Sequence, residues 1–216
     1  MASTSLKVVS INIGKPVTIN YKDQEVVTGI FKSPINGEIY LSSFNLEGDA
    51  QADLVNHGGK DKAVCLYPHE HYPYWEKELG RSLAFGAFGE NLTVTGMLEQ
   101  DVCIGDIFQF GEAVVQISQP RQPCHKLAKK FDVVDLPVRV QNTGLTGFYF
   151  RVLKEGCISE DRTLKLMERH PQAVTVAFAN QIMHHDKHNA DGIRRILDVE
   201  ELSESWRVTL TKRILG

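Results

Sequence analysis

The chain has 216 residues, 42% of them hydrophobic and 24% charged, with 17 Gly and 8 Pro. This suits one sizeable globular domain with a small appendage and excludes chain-long disorder, collagen or coiled coil. A formal net charge of −3 and a pI near 6.2 leave no electrostatic footprint for duplex nucleic acid or an anionic membrane, so a nucleotide-like ligand would be held as a small molecule.

No run approaches the roughly 18 apolar residues of a bilayer span. The N-terminus MASTSLKVVSINIGKP lacks the apolar run and cleavage site of a secretory signal, and a cytoplasmic location is expected. From Leu6 to about Asp49, LKVVSINIG, VTINYK, EVVTGIFK and EIYLSSFNL read as short strands, punctuated by turns at 36–37 (NG) and 48–49 (GD). Next, His57-Gly58-Gly59-Lys60-Asp61 places a histidine before paired glycines. Such a loop lets backbone N–H groups approach an anion, with Lys60 adding charge, or it is a plain solvated turn. HEHYPYWEKEL (69–79) predicts a short amphipathic helix with Tyr72, Trp75 and Leu79 on one face and Pro73 in its first turn.

GAFGEN (86–91) sets Glu90 and Asn91 after a Gly-flanked aromatic, either facing a ligand or leading tightly into a strand. Strands are expected over Asn91–Val94, Ile107–Phe110 and Ala113–Ser118, and a closing pair within 143–166. Many short strands with frequent turns give a β-rich fold of mixed α and β type, an antiparallel barrel or sandwich with a few helices. Beyond Pro171, Ala173–His184, Ala190–Leu197 and Ser203–Leu215 predict three short helices, Ser203 capping the last. The boundary falls at residue 171. His184 and His188 are spaced i,i+4, but Asp186 and Asn189 favour a helix end over a metal site. No GxGxxG or GxxxxGK[ST] pattern occurs, and pyridoxal phosphate binding is not expected.

The four cysteines form no CxxC and too sparse a set for a disulfide framework. Cys65, Cys103 and Cys157 have apolar neighbours and read as core thiols. Cys124 differs. In SQPRQPCHKLAKKF, Pro123 suits a first helical turn, Leu127 and Phe131 follow at helical spacing, and Arg121, His125 and Lys126 add positive charge. A cationic helix start favours a thiolate, hence a nucleophile or a metal ligand. Lys32, at a strand end, reads as solvent-exposed.

GIFKSP (29–34), NLEGDAQADLVNHGGKDKAVCLYPHEHYPYW (45–75), GAFGENLTVTG (86–96), DVCIGDIFQFG (101–111), QISQPRQPCHKL (116–127) and TGFYFRVL (146–153) together resemble the MOSC domain family, named for the molybdenum cofactor sulfurase C-terminus, in its stand-alone YiiM-like branch. The resemblance implies a MOSC-type β-barrel with peripheral helices over 1–171 and a small three-helix domain over 172–216. It implies molybdenum cofactor (molybdopterin) bound through the Cys124 thiolate, and reduction of N-hydroxylated purines such as 6-hydroxylaminopurine to amines, a detoxification of base analogues. Candidate cofactor anchors are Arg121, Lys32, Gly58, Gly59, Lys60, Glu90 and Asn91. His57 is the candidate proton donor, and Lys32 joins it and Cys124 as a candidate catalytic group. Two positions depart from the branch: His125 stands where an aromatic is frequent, and Lys60 where proline is frequent.

No flavin, nicotinamide or iron–sulfur motif occurs, so electrons are expected from a separate reductase. Two other readings use the same thiol: a non-catalytic carrier of the cofactor or of sulfur, and a metal-free thiol hydrolase pairing Cys124 with His57. The residues leave room for a homodimer.

Overall fold

Lys7–Ile13 (KVVSINI) forms the first strand, β1, and a register shift between Val8 and Ser10 lets both Val8 and Ile11 join the core. The structure, a computed structural model, describes residues 6–22, 24–52, 58–159 and 163–215. Strands β2 (Val17–Tyr21) and β3 (Gln24–Thr28) form a separate antiparallel hairpin with Val17 opposite Thr28. Then come β4 (Ser33–Ile35), β5 (Ile39–Leu41), β6 (Val64–Pro68), α1 (Tyr72–Leu79) and β7 (Leu92–Thr95). Strands β8 (Ile107–Phe110) and β9 (Ala113–Pro120) lead into helices α2 (His125–Phe131) and α3 (Leu136–Thr143). Strands β10 (Phe148–Lys154), β11 (Gly156–Ile158) and β12 (Lys165–Glu168) complete the β-rich part.

Eight strands form one sheet in the order β12-β8-β9-β10-β6-β7-β1-β4, antiparallel except for the parallel pair β6–β7. A single apolar cluster takes side chains from β1, β6, β7, β8, β9 and β10, so the sheet curls around its core as a half-barrel. The ribbon of β5 and β11 adds Ile39, Leu41 and Ile158 to that core. Among the described residues, edges β4 and β12 do not pair with each other. Gly147 permits the close approach at β6: with φ +71°, it would place a Cβ 2.2 Å from the Leu66 carbonyl oxygen.

Two sequence expectations change. The closing strands do not pair with each other: β10 lies between β9 and β6, and β12 pairs with β8. Helix α3 was not anticipated. It buries Leu136 and Val140, begins with Pro137 in its first turn and ends on left-handed Gly144.

The tail contains α4 (Val176–Asn180), a π-helical turn over Gln181–His185, α5 (Ala190–Leu197) and α6 (Glu204–Leu215). Thr175 caps α4 by accepting from Phe178 N–H, and Asn189 caps α5 by accepting from Gly192 N–H. Ser203 immediately precedes α6; its carbonyl accepts from Arg207 N–H, and its own N–H is given to the Ser118 carbonyl on β9. Ile104 joins Val174, Ile182, Ile193, Ile196, Trp206 and others in the tail's core. Thus the tail is fastened to the half-barrel by backbone bonds and by a shared apolar side chain. Among the described residues no helix is long and apolar enough to cross a membrane.

Candidate functional site

Strand β6 is buried on both faces, and its period of two separates them. Val64 and Leu66 enter the main core, Tyr67 enters an aromatic cluster with Trp75 and Phe88, and Cys65 faces a cleft. Tyr149 is directly opposite Cys65 in the β10–β6 register and lines the same cleft. Beyond the end of β9, Arg121 donates its backbone N–H to Gly147 O, and Cys124 follows as the extended N-cap of α2. The other wall comes from Thr28–Ile30, Lys32, Ala50–Ala52 and Lys62. The cleft between these walls is open at its mouth and encloses about 80 Å³.

The electrostatics divide the two sulfurs. Burial pushes the Cys65 thiol up to about 11, although nearby Arg121 pulls it down. Cys65 is therefore a neutral thiol near pH 7. Burial likewise raises Tyr149, keeping its phenol protonated. Cys124 is only half-buried and makes no side-chain cap bond, so its sulfur is the one a ligand can reach. The cap position corrects the expectation of a first-turn cysteine: Pro123 lies outside the helix, not within it.

Arg121 is 6% exposed. One guanidinium nitrogen, Nη2, donates to the Phe88 carbonyl at 2.5 Å, while Nη1 is buried with no partner among the described residues. Burial works against its charge, but Cys65, Tyr149, Cys124 and Glu90 outweigh burial and raise its pKa. A buried cationic N–H without a partner is costly, and an anion in the cleft would satisfy it.

Lys32 was expected in solvent, yet its side chain is 6% exposed and its Nζ lies 2.5 Å from Asp49 Oδ1. Asp49 also accepts from Gly14 N–H at 2.9 Å and from Asn91 Nδ2 at 2.9 Å. Asn91 in turn accepts from Cys65 N–H through Oδ1. One carboxylate thus ties the Lys32 strand end to the loop that carries Asn91.

Glu90 does not face the cleft. Its carboxylate is fully buried and accepts from Tyr72 Oη, Gly86 N–H, Phe88 N–H and Thr93 Oγ1. It holds the GAFGEN loop shut, which corrects its assignment as a cofactor contact. Gly89 in that loop does reach the lining; with φ +79°, a Cβ there would meet Ile30 Cγ1 at 2.7 Å. Lys130 pins the same loop, donating to Gly86 O at 2.9 Å and Ile30 O at 3.1 Å. Burial lowers its pKa to about 8.

The fold therefore brings Cys124, Arg121, Lys32 and Asn91 to one cleft. It leaves Gly58, Gly59 and Lys60 outside the lining; Lys60 Nζ sits 6.0 Å from the Phe44 ring centre. His57 lies outside the described residues. His125 is exposed at the first position of α2. Sequence reasoning missed Cys65, Tyr149 and Lys62 as cleft groups, and Asp49 as the buried carboxylate behind Lys32 and Asn91. Cys65 gave no signal because apolar neighbours on both sides are the same for either face of a doubly buried strand. Among the described residues, no three His, Cys, Asp or Glu side chains gather into a metal-binding group, and His188 is exposed beside half-buried His184.

Residues 53–165 match the MOSC domain, and residues 174–216 match the YiiM-like, 3-alpha helix domain. Protein YiiM of Escherichia coli (strain K12) is 43% identical over 192 residues, 88% of this chain and 85% of that one. A protein of Gibberella moniliformis (strain M3125 / FGSC 7600) named "Reductase" is 38% identical over 149 residues, 67% of this chain but 26% of that one. The crystal structure of YiiM from Geobacillus stearothermophilus superposes with a TM-score of 0.83 at 44% identity, covering 97% of this chain and 99% of that one. The chain belongs to the MOSC domain family, in the branch that adds the YiiM-like three-helix domain.

Proposed function

We propose that this protein is a molybdenum-cofactor-dependent reductase of N-hydroxylated compounds, such as 6-hydroxylaminopurine, with Cys124 as the protein's metal ligand. The observation that carries this reading is the meeting in one cleft of an accessible thiol and Arg121, whose buried Nη1 has no partner among the described residues. A soft sulfur suits molybdenum, and the guanidinium suits the phosphate of the pterin. Gly89 and Gly29 let the segments of the wall pack closely: a Cβ on Gly29 would meet Ala50 O at 2.7 Å. When bound, the cofactor supplies two-electron chemistry at a soft metal.

Reducing R–NH–OH breaks the N–O bond, consumes two electrons and two protons, and yields R–NH2 and water. The chain's groups serve the binding and the protons. Lys32, held in a buried ion pair with Asp49, brings ammonium N–H donors to the wall of the cleft. Tyr149 and Cys65, both held neutral, offer O–H and S–H hydrogens. His57 remains our candidate proton source, since an imidazole titrates near neutrality. Electrons come from a separate reductase. The fungal relative named "Reductase", in which the matched region is about a quarter of the length, supports the reductase reading.

The test is anaerobic reduction of 6-hydroxylaminopurine by wild type and Cys124→Ser, with molybdenum quantified in the same samples. Conversion to adenine should track molybdenum and vanish with it in the variant, because a hydroxyl is a poor soft-metal ligand. Molybdenum held through Cys124 without turnover, given a competent donor, would assign a carrier. Turnover without molybdenum would sink both.

A further inference from the structure

A second cavity, of about 450 Å³, lies where the half-barrel meets α3 and the tail, and it shares no lining residue with the Cys124 cleft. Glu70 and His71 reach it from the turn before α1, and Glu99 from the loop after β7. Asn142 and Thr143 come from the end of α3. Asn180 ends α4, and Gln181 and His185 are the two ends of the π-helical turn, in which Asp186 N–H bonds to Gln181 O across five residues. Such turns are rare and are found frequently at functional sites.

The lining contains two carboxylates and no lysine or arginine. Glu99 is 4% exposed. Its Oε1 accepts from Gly147 N–H, and its Oε2 is bonded to His71 Nε2, each at 2.7 Å. An ionised carboxylate offers about four lone-pair positions, so about two are left over. Exposed Glu70 accepts from Gly96 N–H through Oε1. Asn180 is 3% exposed; its Nδ2 donates to Thr146 Oγ1 at 2.8 Å, and its Oδ1 is buried with no partner among the described residues. Leaving such an acceptor unpaired is costly. Leu98, Leu145 and Ala177 supply the apolar part of the wall.

We infer that this cavity is a binding site for a short aliphatic amine in its ammonium form, separate from the Cys124 cleft. An ammonium group brings positive charge and three N–H donors, which suit a buried carboxylate with spare lone pairs and an unpaired amide oxygen. Its alkyl chain suits the apolar wall. Among the described residues no three His, Cys, Asp or Glu side chains gather into a metal-binding group, so the cavity suits an organic cation and not a metal ion.

The probes are n-butylamine, 1,4-diaminobutane and the uncharged 1-butanol, titrated calorimetrically into the full chain at pH 7, where both amines are ammonium ions. At least one amine should bind about ten-fold or more tighter than the alcohol. Asn180→Leu, which removes the unpaired oxygen, should weaken that amine about ten-fold. Glu70→Gln alters an exposed side chain, so it tests the site even where Asn180→Leu disturbs folding, and it should weaken the amine about three-fold or more. Cys124→Ser, in the other cleft, should stay within about two-fold of wild type. The site is refuted if neither amine outbinds the alcohol, or if Asn180→Leu and Glu70→Gln both bind as wild type does. It is refuted equally if Cys124→Ser loses as much as they do, which would put the amine in the cleft. None of these readouts uses turnover, so the site and the reductase reading stand or fall separately.

Discussion

Asp49 holds the cleft together at the level of single atoms. Its carboxylate receives Lys32, Gly14 N–H and the Asn91 amide, and its side chain is 1% exposed. Removing one partner of a buried ion pair costs about 3–5 kcal/mol, mostly because the remaining charge is left uncompensated. Asp49→Ala strands a buried ammonium, a backbone N–H and an amide at once. Lys32→Met leaves a carboxylate that still has two donors. Urea unfolding should therefore place Asp49→Ala below Lys32→Met in stability, with Asp49→Ala losing about 3–5 kcal/mol. The reverse order would mean that Lys32, not Asp49, is the organising charge. None of this network could be read from the sequence, since Gly14, Lys32, Asp49 and Asn91 are far apart along the chain and are brought together only by the fold. Cys124 was legible because its clue is local, a proline-flanked start to an apolar-periodic, basic helix. That Arg121 Nη1 is buried with no partner among the described residues was not.

Elements were legible where burial follows one period. Strand β8 and helix α5 match their expected spans, Ile107–Phe110 and Ala190–Leu197, because alternation or i,i+3/i+4 spacing is unbroken there. Helix α3 was hidden by LPVRVQNT, in which proline and two valines weaken a helical reading that packing of Leu136 and Val140 then enforces. The short helix expected over Ala173–His184 instead starts at Val176, is α-helical only to Asn180 and widens into a π-helical turn. That turn carries a pH response. His184 Nε2 is buried there with no partner among the described residues, and burial, with His185, Arg213 and Lys187 adding positive charge, lowers its pKa from 6.5 to about 4. Between those values the unfolded chain binds a proton that the folded chain refuses, so stability is full above about pH 6.5 and is lost as pH falls through about 4. Thermal unfolding of wild type should drop more steeply over this window than that of His184→Leu. Parallel curves would mean that the imidazole is already solvated in the folded state.

At the scale of the whole molecule, the family boundary near residue 174 need not be a boundary of cooperativity. Helices α4, α5 and α6 have 5, 8 and 12 residues, too short to persist alone in water. Their shared core borrows Ile104 from the half-barrel, and Ile104 N–H, Val102 O, Glu99 O and Ser118 O bond tail backbone directly. Separating the tail would expose Ile104 and free those groups together, so the two parts should unfold in one transition. The chain's two tryptophans report this independently. Trp75 lies in the aromatic cluster beside Tyr67 and Phe88, and Trp206 lies in the tail core, each at most 1% exposed. In Trp75→Phe the remaining fluorescence follows the tail, and in Trp206→Phe it follows the half-barrel side. Within each variant, the tryptophan signal and far-UV circular dichroism should give the same urea midpoint. Trp206→Ala, which empties a large buried volume, should move that single midpoint to lower urea by the equivalent of about 3–5 kcal/mol without splitting it. A tail signal that melts first, while circular dichroism retains the β-rich part, would show that the backbone stitches along Val102, Ile104 and Ser118 hold the tail in place without making the two cores interdependent.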